Sequence, residues 1–224
     1  MNSPPAVTYT EVMQNQFAIF RKLLAEMNVV LNGLQTSGAG TDPKIAGFKD
    51  GIFCFELALT FYEEANLAIQ AGAWFAAASI ASSALELVLL SKCFFQEAKI
   101  RALPKFQHLK RSHKEDFGLF ARSLDLGKLL EIASELSWFP DDDLTKTFMS
   151  HLSLHLDQAT LSSLAGLLEA NPNIGQLCAR HVRECRNLLH PAVCLKTGQQ
   201  PSKDVGLTST FLFMIAFTSL AGAS

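Results

Sequence analysis

The sequence predicts an all-α fold, a bundle of amphipathic helices. Three observations lead there. Apolar residues recur at three- and four-residue spacing along most of the chain, and these runs are bounded by glycine, proline and capping residues. One run is also rich in alanine, the composition of a helix that packs closely against its neighbours.

The first helix spans 9–34, with Val12, Phe17, Phe20, Leu23, Leu24, Met27 and Leu31 in its apolar stripe. Residues 36–43 are a linker of turn-forming types. Its glycines lack both the spacing and the strand-to-helix setting of a phosphate-binding loop. The second helix, 48–70, places Ile52, Phe55, Leu59 and Tyr62 at helical spacing, with Phe53, Leu57 and Phe61 widening the same buried side. Gly72 marks a turn before a helix over 74–93, whose Ala76, Ala77, Ala78, Ala81 and Ala84 permit close packing. Glu86 is its conspicuous polar member, read as the edge of the apolar stripe, with a partner or an arginine as its alternative contact.

Lys99, Arg101, Lys105, Lys110, Arg111 and Lys114, with His108 and His113, form the densest basic region. Pro104 interrupts it, and the expected role is a solvated connection between helices rather than a guide for a phosphate backbone. A further amphipathic helix carries Leu126, Leu129, Leu130, Ile132, Ala133 and Leu136 and ends near Trp138. Asp141, Asp142 and Asp143 precede a fresh helical pattern, where first-turn carboxylates meet unpaired backbone donors; this reading is preferred to a magnesium site. His151 and His155 stand four apart without a further placed zinc ligand.

Asn171 and Pro172 then suit the cap and first position of a helix running to about His190, where Pro191 stops it. At about 100 degrees per residue, Ile174, Leu177, Cys178, His181, Val182, Cys185, Leu188 and Leu189 share an inner side. Arg183, Arg186, Asn187 and His190 fall on the other. Cys178, His181 and Cys185 are read as packing residues rather than metal ligands. After a loop through Gly198, Pro201 and Gly206, residues 208–220 form an apolar last helix.

Composition narrows the function classes. The 224 residues are 49% hydrophobic and 18% charged with a net charge of -2, so the chain supports a sizeable core and any nucleic-acid contact must be local. Five widely spaced cysteines suggest reduced thiols and a cytoplasmic setting; no secretory signal is visible in the first residues. Buried helices account for the apolar stretches, and stable membrane association is not favoured.

The polar side of the 172–190 helix is the candidate site. Arginines, an asparagine and a histidine at a helix end suit phosphate binding and proton transfer, while the plainer reading is a solvated face with His190 capping its own last turn. The stretch Phe61-Tyr62-Glu63-Glu64-Ala65 through Gly72-Ala73-Trp74-Phe75-Ala76-Ala77-Ala78, then Ser83-Ala84-Leu85-Glu86, is similar to the small-residue helical core of the HEPN superfamily. Arg186-Asn187-Leu188-Leu189-His190-Pro191 resembles that superfamily's arginine-asparagine-to-histidine signature. The resemblance covers roughly 48–220, leaving 1–47 as an N-terminal helix and linker and 221–224 as a short tail.

That resemblance implies an all-helical, HEPN-like domain acting as a homodimer, without metal or cofactor. Two functions come with it. The preferred one is a noncatalytic interaction or regulatory domain, whose polar face closes a dimer or binds a protein regulator such as an antitoxin. The alternative is a metal-independent endoribonuclease of toxin or defence type. There His190 would transfer a proton, Arg183 or Arg186 would stabilise charge on the RNA phosphate, and Asn187 would orient the set. The family signature has four to six residues between arginine and histidine; Arg186 to His190 has three and Arg183 to His190 has six.

Overall fold

The computed structural model describes residues 9–36, 43–139, 162, 173–188, 191–198 and 202–222. Every extended element among them is a helix, so the all-α expectation holds. The order is α1 (Tyr9–Thr36), α2 (Pro43–Gln70), α3 (Trp74–Phe95), four short helices α4 (Glu97–Arg101), α5 (Pro104–Gln107), α6 (Arg111–Glu115) and α7 (Phe117–Arg122), then α8 (Leu126–Glu135), α9 (Ile174–Asn187), α10 (Pro191–Thr197) and α11 (Lys203–Gly222). Asp141, Asp142, Asp143, His151, His155, Asn171 and Pro172 lie outside the described residues.

α3 is the central element because little of its surface is polar. It is long and apolar enough to cross a membrane, yet it touches α2, α7, α8, α9 and α11. Ala77, Ala78, Ala81, Ala84, Leu85 and Leu89 are wholly buried on it. Small side chains bring helix axes together, and the packing of α11 shows how closely. A Cβ placed on Gly206 would lie 2.7 Å from the Trp74 carbonyl oxygen and 2.9 Å from its Cα. The reading of Gly206 as a loop residue is thereby corrected: α11 begins at Lys203, and this glycine is the point where it meets the start of α3.

Aromatic rings fill the space between α1, α2 and α11. Tyr62 and Phe213 meet at a tilt with 5.3 Å between ring centroids, Phe55 and Phe217 likewise at 5.7 Å, and Phe20 meets Tyr62 edge-on at 6.2 Å. Phe53 departs from expectation. It is 62% exposed on the outer face of α2, because the helix already buries Ile52, Phe55, Ala58, Leu59 and Tyr62 and has a single inner side to offer.

The basic segment connects α3 to α8 with Lys99, His108, Lys110 and Arg111 exposed, as expected, but it is folded into short helices that pack on the bundle. Phe106 of α5 is buried against Phe120 at 5.1 Å and near Phe117 at 6.3 Å, and Ile100 of α4 is 1% exposed. Pro104 opens α5 rather than breaking a longer helix. The cations are largely engaged. Arg101 pairs with Glu97 at 2.6 Å and lies between the Phe106 and Phe117 rings, Arg111 pairs with Glu115, and Lys105 reaches Glu135 of α8 at 2.8 Å.

α8 and α9 are positioned by their ends. Asp125 caps α8 by accepting from the Lys128 amide at 2.9 Å. The far end closes with Ser137 at a φ of 50° and a bond from the Trp138 amide to the Ala133 carbonyl at 2.8 Å, a Schellman-type stop. Trp138 and Phe139 are thereby buried, and the Trp138 indole donates to Gln96 at 2.9 Å. Asn173, not Asn171, caps α9. Its oxygen accepts from the Gln176 amide at 3.2 Å while its amide donates to the Phe139 carbonyl at 2.6 Å, tying the start of α9 to the end of the α8 region.

Candidate functional site

α9 carries two surfaces. Ile174, Gly175, Cys178, Ala179 and Val182 are buried, and Arg180, His181, Arg183, Glu184, Arg186 and Asn187 are exposed. His181 corrects the expected inner face: it turns outward and pairs with Glu184 at 3.0 Å. Burial raises the Cys178 thiol to about 12, and Cys185, half-buried, is raised too, first by burial and then by the Glu184 charge. Thiolates are disfavoured at both positions.

The two arginine candidates serve different neighbours. Arg186 reaches across to α3 and pairs with Glu86 at 2.8 Å, which settles the polar member of α3 as an ion-pair partner. Arg183 and Asn187 instead line a cleft with α8, together with Arg180, Glu184, Gly127, Leu130, Glu131, Ser134 and Glu135. The cleft volume is about 570 Å³. Arg183 lies flat against α8 at Gly127, where an added Cβ would sit 3.0 Å from Nη2 and 3.1 Å from Cζ. A glycine at this position lets the guanidinium reach the helix backbone.

His190 lies outside the described residues. The helix expected to run to about His190 ends at Asn187, and Pro191 opens a separate helix, α10. A proline is well suited to a first helical position, where its missing N–H costs nothing.

Sequence reasoning missed Gly127, Glu131 and Arg180. Arg180 was legible, since it stands three residues before Arg183 and so shares its side of the helix. The α8 residues carried no such signal, because only the packing of α8 on α9 brings them there. Among the described residues, no group of three or more His, Cys, Asp or Glu side chains is placed to hold a metal ion. Comparison of the chain with protein-family models, curated proteins and solved structures found no match.

Proposed function

We propose that this chain is a HEPN-like helical interaction domain that works as a cytoplasmic homodimer, bound by a regulatory protein, and does not cleave RNA. The Arg186–Glu86 ion pair carries this reading. One of the two guanidinium groups expected to meet phosphate is held by a carboxylate of its own bundle, and RNA would have to displace that carboxylate to use it. The second, on Arg183, shares its cleft with Arg180 and also with Glu131, Glu135 and Glu184, so a polyanion there meets carboxylates beside the arginines. Self-association is carried over from the family resemblance alone. The unbridged Cys54, Cys93, Cys178 and Cys185 fit a reducing compartment.

One observation favours the ribonuclease reading. Arg183 and Asn187 line the same cleft, and among the described residues Arg183 has no carboxylate within ion-pair distance. In that reading Arg183 stabilises charge on the phosphate and His190 transfers the proton.

Wild type and His190→Ala should be incubated with single-stranded and structured RNA in the presence of a chelator. The interaction-domain reading expects no cleavage by either. Chelator-resistant cleavage that disappears in His190→Ala would establish the nuclease instead. Light scattering over a concentration series should give twice the 24.5 kDa chain mass. A monomer at all micromolar concentrations would refute the dimer.

A further inference from the structure

The cleft between α8 and α9 has an uneven distribution of satisfied charge. Glu135 pairs with Lys105 at 2.8 Å, and Glu184 lies 3.0 Å from the His181 ring nitrogen, a contact that is ionic only when the imidazole is protonated. Arg180 and Arg183 on the α9 wall have no carboxylate within ion-pair distance among the described residues, and Glu131 on the α8 wall has no cation. Two arginines and one glutamate with no side-chain partner among the described residues therefore line one cavity of about 570 Å³, a size that suits a few residues of peptide. The Arg183 guanidinium lies beside Gly127 of α8.

We propose that this cleft binds a zwitterionic segment of a protein partner, in which a carboxylate stands beside an ammonium or a backbone amide. Arg180 and Arg183 take the carboxylate. Glu131 takes the adjacent donor, and Asn187 offers both a donor and an acceptor to the intervening backbone. A nucleic acid satisfies the arginines equally well, but its next phosphate meets Glu131 with like charge, whereas a mixed-charge peptide leaves neither wall unmatched. This inference rests on the interaction-domain reading and names the kind of partner that reading requires.

The test uses the full chain labelled with ¹⁵N and follows the side-chain Nε–H signals of Arg180 and Arg183. Two probes are titrated at matched ionic strength: the blocked tripeptide acetyl-Glu-Gly-Lys-amide and dimethyl phosphate. The tripeptide should give saturable shifts in the millimolar range, with dimethyl phosphate markedly weaker. Arg183→Gln should weaken the tripeptide about tenfold, the usual loss when one charged hydrogen-bond partner is removed. Glu131→Gln should also weaken the tripeptide while leaving dimethyl phosphate no weaker, and Lys99→Gln should change neither. Circular dichroism checks that each variant is folded. Shifts that never saturate, dimethyl phosphate binding as tightly as the tripeptide, or a tripeptide indifferent to Glu131→Gln would each overturn the proposal. RNA cleavage by the wild type refutes the interaction-domain reading whatever the tripeptide does. A non-cleaving dimer that ignores the tripeptide refutes this inference alone.

Discussion

α3 and α9 touch along the bundle and obey opposite rules. α3 is apolar on nearly every side and packs against several helices, and two of its polar groups are answered inside the protein: the Ser91 hydroxyl donates to the Gly51 carbonyl at 2.7 Å, and the Lys92 ammonium donates to the Leu220 carbonyl at 2.7 Å. α9 buries one narrow face and leaves its arginines and Asn187 to solvent. A central helix spends its surface on packing, so its sequence speaks mainly of stability. A peripheral helix needs only one face for packing, and the remainder is available for binding. The Glu86–Arg186 pair joins the two, and it draws one cation of α9 into the structural role of α3.

The largest test of that contrast is a cavity in α3. Leu85 is wholly buried, so Leu85→Ala should cost about 2–5 kcal/mol in urea denaturation, whereas Arg183→Ala on α9 should fall within roughly 0.5 kcal/mol of wild type. Similar losses for the two would remove the distinction. Crowding the same core from the other side comes next. Gly206→Ala brings a methyl group against the Trp74 backbone, which cannot swing aside as a flexible side chain can, and the expected loss is about 1–3 kcal/mol.

Lys92 sharpens the comparison through pH. Burial, and secondarily the charge of Lys99, lower its pKa from the ordinary 10.5 to about 8. The unfolded chain therefore holds the proton more tightly than the folded one does. Stability from this group is lowest below pH 8 and grows as pH rises from about 8 towards 10.5. Because the side chain is only partly buried, the gain should be on the order of 1 kcal/mol after solvent screening. Chemical denaturation of wild type and Lys92→Met across that range measures it: the wild type should gain relative to the variant as pH rises, and parallel curves would disprove the assignment.

The smallest effect belongs to the link between the helices. Arg186 and Glu86 side chains are 44% and 29% exposed, so a double-mutant cycle with Arg186→Gln and Glu86→Gln should give a coupling of about 0.2–1 kcal/mol that shrinks with salt. A coupling of several kcal/mol would place the pair with the buried interactions of α3 rather than with the surface of α9.

Local pattern alone determined the helical class, the spans of α2 and α3 to within a few residues, and the polar face of α9. Each of these follows from short-range periodicity, propensity or a proline, and none depends on a distant part of the chain. The resemblance drawn from those stretches supplied the candidate residues, but it could not say which arginine was free. The tertiary structure decided that. Glu86 stands 100 residues before Arg186, and Gly127 precedes Arg183 by more than fifty, so no window of sequence holds either pair. Gly206 shows the same limit, since glycine breaks a helix by propensity and is kept in one only because Trp74 occupies the space a side chain would need. His181 shows it from the other direction. Angle placed it within the broad inner side, but the depth to which α9 settles on its neighbours left its ring in solvent beside Glu184. Periodicity can give the direction of a side chain, but how close the neighbouring helix comes is set by packing between residues far apart in the chain.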